Sequence, residues 1–584
     1  MKKNSGLYLI LLLVFSIFVS CGSTEIQEFT QIEDRFFENY FQLNPIHASD
    51  VGEHSYDSLL TDLSSNGIQA RKKLYLNALR EIRGINTQKL PRHKQIDQEI
   101  FLQTLHTRLF LADTLQEQIW NPILHVQMAE KAVMNVADKQ FTGDSTRAML
   151  LMQRFQLLPG WLSDRVQQLD NPSQVYLRAA IAEARQSADL LADSSFITYF
   201  PALSDTMQSQ LLTAAQNTSN GFVNYANRLE NDLLPDANTE FRLGEEVYTN
   251  AFRSILRTNW SQSIIQERAE ERIAQVKDSM YSVAADLAEE WWDFRYYSPS
   301  EYQKNRTIDR VLSRIRSEQD VPENIHSYMS SEKEQLENFV ENRDLITLNQ
   351  NKRLMLRALP LFLDDPNGVH LNNPGPLDNN LPAYLDLPLT DDTTLVETVV
   401  IDPEKFNTQQ LQILSIHEAI PGKFVQQYYS NRYPSLIRTI YPNITLTNGW
   451  AHYAERMMIE NGWAMDNPQL KLTQQKREVA TALTATLAYQ VHAENLSESA
   501  VIERLMDDGF QTRSEAEDLW QQIQLTPFTL SAAFVGKELI IETRENFRQR
   551  RGTNYELIEF HKLLLSFGSP PIHYLNNLLM QATF

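Results

Sequence analysis

The residues in this chain best able to do chemistry are His417 and Glu418, set in the run Ile416-His417-Glu418-Ala419-Ile420-Pro421-Gly422-Lys423. A single-zinc hydrolase needs three protein ligands, an open position for water and a carboxylate to take that water's proton. Helical sites of this kind often carry two histidines four residues apart, with the glutamate after the first as base. His417-Glu418 fits the opening. The residue four on is Pro421, which cannot ligate a metal and which bends or ends a helix. Two places later comes Lys423.

Other stretches belong with this run. They are Phe37-Glu38-Asn39-Tyr40-Phe41-Gln42-Leu43-Asn44-Pro45, Val51 to Asp57, Asn448-Gly449-Trp450-Ala451-His452-Tyr453-Ala454-Glu455, Pro527 to Gly536, and Phe560-His561 to Gly568-Ser569-Pro570. Together they resemble the bacterial "domain of unknown function 885" family, whose members are similar to zinc peptidases with a stretched H-E-x-x-P-G-H pattern. The likeness spans nearly all of the chain after its leader. It implies that His417 is the first metal ligand and Glu418 the general base, and that the bend at Pro-Gly returns position 423 toward the first histidine. It also implies that two ligands are lost, because Lys423 stands for the second histidine and Asn448 for a glutamate. Ala488 and Ala533 fall where the family shows an aspartate and a tyrosine.

The two main departures compensate in charge. A zinc ion, a neutral histidine and a glutamate carry a net single positive charge, as do Lys423 and Asn448 without metal. Lys423 is therefore expected to ion-pair with Glu418, to hydrogen-bond Asn448 and to take the place of the metal. A substitute site is the alternative. Asn448, His452 and Glu455 share one helical face, so His452 and Glu455 could ligate zinc together with His417. His492 and Arg544 are further candidates for lining the cleft. The aromatic groups Trp291-Trp292-Phe294-Tyr296-Tyr297 and Tyr428-Tyr429 could form a binding wall, although such clusters more often belong to a core.

Long helices must position these residues. Glycine is scarce, 18 of 584 residues, where average usage of about 7% gives roughly 40. Apolar residues recur at helical spacing in Phe36-Phe37-Tyr40-Phe41, Ile100-Phe101-Leu105-Leu109-Phe110 and Leu150-Leu151-Phe155-Leu158. The expected fold is mainly α, a large helical zinc-peptidase-like body with a small β element before the His417 helix. Residues 1–20 read as a leader and 21–584 as a single region. That region divides into a helical part (21–358), a Pro/Asn/Asp-rich loop and strand segment (359–403) ending in the β-prone run Thr394 to Ile401, and the motif-bearing helical part (404–584).

The leader has Lys2 and Lys3, an apolar run from Leu7 to Val19, then Ser20-Cys21. It is too short to cross a bilayer and matches a bacterial lipoprotein signal, with Cys21 as the lipidated residue. No other cysteine remains for a disulfide or metal. Gly22 offers no acidic retention signal, so the expected location is the outer membrane facing the periplasm. Acidic residues outnumber basic ones, 74 to 53, and the net charge of -21 argues against nucleic-acid binding. Two functional classes remain. One is a catalytically impaired, peptidase-like lipoprotein without cofactor, whose cleft binds a peptide or an envelope protein. The other is a zinc-dependent peptidase using His417, His452 and Glu455, with Glu418 as base.

Overall fold

The computed structural model describes residues 24–318, 320–349, 354–358, 368–378, 380–387 and 406–581. Cys21, the leader and the Thr394–Ile401 run lie outside the described residues. The fold is mainly α, as the composition requires, with a three-stranded sheet before the His417 segment. Many helices begin at a side chain able to accept from a free backbone N–H. Ser300 with Gln303 and Thr512 with Glu515 form full capping boxes. Asn121 and Asn467 cap helices that carry proline in the first turn. Among the described residues no helix is long and apolar enough to cross a membrane.

Strand β1 (Leu354–Ala358) pairs in parallel with β3 (Ala383–Leu387), and β2 (His370–Asn372) pairs antiparallel on the other side of β3. The β element therefore begins before residue 359, earlier than the Pro-rich composition shift indicates. Arg357 on β1 bridges Asp386 on β3 (2.6 Å) and Asp138 (2.7 Å) at the end of helix Pro122–Ala137, which fastens the sheet to the helical body.

Two apolar cores result, and they do not follow the order of the chain. Leu151, Phe155 and Leu158 bury with Tyr176, Phe222 and Leu487 in one. Phe36, Phe37, Phe101 and Leu105 bury with Ile416, Trp450 and Phe560 in the other. Phe36 and Phe101 meet edge to face at 4.9 Å. The N-terminal helices thus form the floor under a site more than three hundred residues away in sequence.

The His54 stretch is part of this framework. His54 Nδ1 lies 2.7 Å from Asp57 and Nε2 3.1 Å from Asp378, and the ring stacks on Phe141. Burial works against the imidazolium, but the hydrogen bonds to Asp378 and Asp57 outweigh it and raise its pKa to about 9. A raised histidine pKa stabilises the fold fully below the unfolded value of about 6.5, and the contribution disappears as pH rises through the folded value. The apparent unfolding midpoint should therefore fall between pH 6.5 and 9.5 more steeply in the native chain than in His54→Gln. Parallel pH profiles for the two proteins in thermal denaturation would refute this.

Candidate functional site

Asn407 caps the helix Thr408–Leu414, and the backbone then widens into a π turn over Ser415–Ala419. Single π turns of this kind frequently occur at functional sites. Here the turn carries His417 and Glu418, both buried. The Ile420–Pro421 peptide is cis, and Gly422 doubles the chain back so closely that any Cβ would overlap the carbonyl oxygens of His417 and Ile416. Helix Lys423–Ser430 starts immediately after, which returns position 423 to the motif.

Trp450 holds this bend. Its indole N–H donates to the carbonyl oxygens of Pro421 (2.9 Å) and Gly422 (3.2 Å) from a fully buried ring. Trp450 is placed in turn by a close crossing of helices Ile444–Glu460 and Pro527–Arg551, where Gly449 faces Gly536 backbone to backbone. Tyr453 hydrogen-bonds His561 (2.7 Å), and Ser569 accepts from Gln426 (2.7 Å). The motifs distant from His417 are mostly the supports of its bend.

At the centre, His417 Nδ1 lies 2.5 Å from Glu455 Oε1. A carboxylate only accepts, so Nδ1 carries the proton and Nε2 the lone pair. Nε2 faces Glu418 Oε1 at 3.9 Å, and Lys423 Nζ donates to that same oxygen at 2.7 Å. On the other side, Glu455 Oε1 also accepts from Arg477 Nε at 3.1 Å. His452 sits edge to face with His417 at 4.8 Å, its Nδ1 3.7 Å from Glu455. Each ring nitrogen of His417 thus faces a carboxylate already paired with a cation, Glu418 with Lys423 and Glu455 with Arg477.

These charges set the protonation of the centre. Burial holds His417 well below the usual histidine range, and Arg477 and Lys423 push the same way. Burial likewise keeps His452 neutral, against the pull of Glu455. For Glu418, burial favours the neutral acid, but Lys423 and then His417 outweigh it and leave its pKa below the ordinary value. An ionised Glu418 and two neutral imidazoles are the state at neutral pH.

The expected contacts are only partly realised. His417, Glu418, Lys423, His452 and Glu455 come together, and the Lys423–Glu418 pair forms as charge complementarity requires. Lys423 does not bond Asn448, whose side chain makes no hydrogen bond among the described residues. The charge-assisted bond to Glu418 is the stronger of the two on offer. His492 is an interior residue: Nε2 donates to the Ile523 carbonyl (2.9 Å), and the ring packs on Tyr248. It lies fifteen residues along helix Pro468–Glu494 from Arg477, roughly 22 Å at the helical rise. Arg544 binds Glu460 (2.9 Å) and reaches the Tyr453 hydroxyl.

Of the aromatic groups, Tyr428 is buried. With Tyr429 it lines a hollow of about 30 Å³, room for little more than a water molecule. Trp291 and Trp292 carry stacked Arg314 and Arg310, while Tyr297 is fully exposed.

Two participants escape the motif. Arg477 comes from a helix that follows the Glu455 helix and packs beside it. His370 on β2 is near enough for its charge to help lower the Glu418 pKa. The donors His417, His452 and Glu455 could by position hold a metal, their ligand atoms lying within 4.8 Å of one another. The set nevertheless does not fit a hydrolytic zinc centre, because a guanidinium lies against its one carboxylate, which also accepts from an imidazole N–H.

A family profile described as "Bacterial protein of unknown function (DUF885)" matches residues 45–579. No curated protein matches the chain. A solved structure described as "a putative lipoprotein of unknown function from Shewanella oneidensis" is similar with a TM-score of 0.77 at 23% identity, over 95% of this chain and 100% of that one. A second, described as "the putative lipoprotein from Colwellia psychrerythraea", is similar with a TM-score of 0.78 at 15% identity, over 95% and 99% of the two chains. At these identities the likeness is one of fold.

Proposed function

This chain belongs to the DUF885 family, and from that membership, the paired charges around His417 and the leader ending at Cys21 we propose a lipid-anchored protein of the bacterial envelope whose peptidase-like site works without metal. Its role is to bind a peptide or the segment of an envelope partner rather than to hydrolyse it. The observation that carries this reading is the 2.7 Å bond from Lys423 Nζ to Glu418 Oε1, on the side where the His417 lone pair points. A fixed ammonium there supplies the positive charge that the chemistry of a zinc peptidase would require of a metal. Unlike a metal, it cannot hold and ionise a water molecule. Glu418, with its pKa lowered, is also a weaker base than a catalytic glutamate poised near neutrality.

Lys423 and Arg477 keep 31% and 33% of their side chains exposed while the carboxylates beneath them are buried, so the site is open on its cationic face. An extended segment can be bound there without being cut. The lipoprotein descriptions of the two similar structures and the Ser20-Cys21 leader support anchoring. The outer membrane facing the periplasm is the proposed location.

The competing reading is hydrolysis through His417, His452 and Glu455, which draws on the clustering of their donor atoms. Metal analysis of the native chain and incubation with a peptide library decide between them. Substoichiometric zinc and no chelator-sensitive cleavage are expected. Hydrolysis that chelation abolishes and zinc restores would establish the competing reading.

A further inference from the structure

We propose that Arg477 is a second built-in cation, one that keeps the His417–His452–Glu455 cluster from binding a transition-metal ion. The inference rests on the metal-free reading above, and deepens it by assigning a role to a residue outside every recognisable motif. The cluster is otherwise well made for a metal, with two imidazoles and a carboxylate within 4.8 Å of one another. Lys423 does not guard it, because Lys423 pairs with Glu418 on the Nε2 side of His417. Arg477 guards it. Its Nε lies 3.1 Å from Oε1 of the Glu455 carboxylate that a metal would need, and its Nη2 lies 3.5 Å from His417 Nδ1.

A divalent ion bound to that carboxylate would sit beside a guanidinium that stays charged, and the buried carboxylate between them leaves their repulsion poorly screened. A lysine at 477 would repel a metal in the same way, and a neutral side chain would not. The site is therefore closed twice, once on each side of the same imidazole.

The test titrates Zn²⁺ and Co²⁺ into the detergent-solubilised full chain and its Arg477→Gln and Arg477→Lys variants. Binding is followed by calorimetry and by the cobalt ligand-field absorption, and folding by circular dichroism. Arg477→Gln should bind one ion per chain about a thousandfold more tightly than the native protein, while Arg477→Lys should not. Adding His452→Ala to the glutamine variant should remove the gain. Arg477→Met, which keeps the aliphatic stem, carries the same test where the glutamine variant is misfolded. No gain in either neutral variant, or a gain that survives His452→Ala, overturns the proposal. Tight zinc binding by the native chain overturns it too, and in that case the metal-free reading falls with it. Absence of binding in every variant leaves that reading standing and removes only the role of Arg477.

Discussion

Replacing Lys423 by histidine and Asn448 by glutamate together should convert the native chain into a zinc protein, with one ion bound at a dissociation constant below about 1 μM, or about 8 kcal/mol of binding. Most of what such a site requires is in place. Glu455 orients His417 through Nδ1, which leaves Nε2 directed at Glu418 and position 423. Gly422 and the bend held by Trp450 bring residue 423 within bonding distance of the glutamate that would act as base. Position 448 shares a helical face with His452 and Glu455 and is free of other hydrogen bonds among the described residues. Arg477, on the far side of His417, would keep Glu455 in its orienting role.

Either single change should do far less, because one leaves two ligands and the other leaves the competing ammonium. Metal content after dialysis and calorimetric titration measure the effect. A double variant that folds and takes up no zinc would count against an ancestral metal site at His417.

Gly536→Ala should be severely damaging, with a loss of about 3 kcal/mol or more of stability. The Cβ would overlap the Thr445 carbonyl oxygen, which is backbone and cannot rotate away. Thr445 is itself anchored, its hydroxyl donating to the Leu256 carbonyl at 2.8 Å, and Asn443 N donates to the Ser569 carbonyl at 2.9 Å. The helices can only separate, and separation draws Trp450 from the Pro421 and Gly422 carbonyls that fix the bend.

Gly160→Ala is the control. It lies inside helix Asp144–Gln168, and an added Cβ there meets nothing. That change should be neutral or stabilising by up to about 1 kcal/mol, from helix propensity alone. Urea unfolding monitored by tryptophan fluorescence should separate the two variants widely; similar midpoints would show that the glycine crossing is not what holds the bend.

Much of this architecture is legible in the sequence. Local spacing is a property of the chain itself, so most of the apolar residues at helical intervals are buried, Phe36, Phe37, Tyr40 and Phe41, Ile100, Phe101 and Leu105, and Leu151, Phe155 and Leu158, while Leu109, Phe110 and Leu150 at the margins are half-buried. The Lys423–Glu418 pair was legible for the same reason, since five residues around a Pro-Gly bend leave few other places for the ammonium. That His452 and Glu455 share one helical face is legible from their spacing, and their closeness to His417 is a finding of the structure. The strands were harder to locate. Sheet pairing is non-local, and Leu354–Ala358 carries no alternation that distinguishes it from its helical surroundings.

What this sequence determined by itself was a helical body and a motif bent at Pro421-Gly422 that sets Lys423 near Glu418, consequences of residue type and short-range spacing; that position 423 is a ligand position is what the family resemblance implies. What the tertiary structure alone decided was the allegiance of Glu455. Its position permits a metal ligand, but its Oε1 accepts from the His417 N–H and from Arg477, a residue twenty-two places further on. Helical periodicity specifies which residues share a face. It does not specify which neighbouring helix brings a charge against that face, here the guanidinium of Arg477 against the buried Glu455 carboxylate.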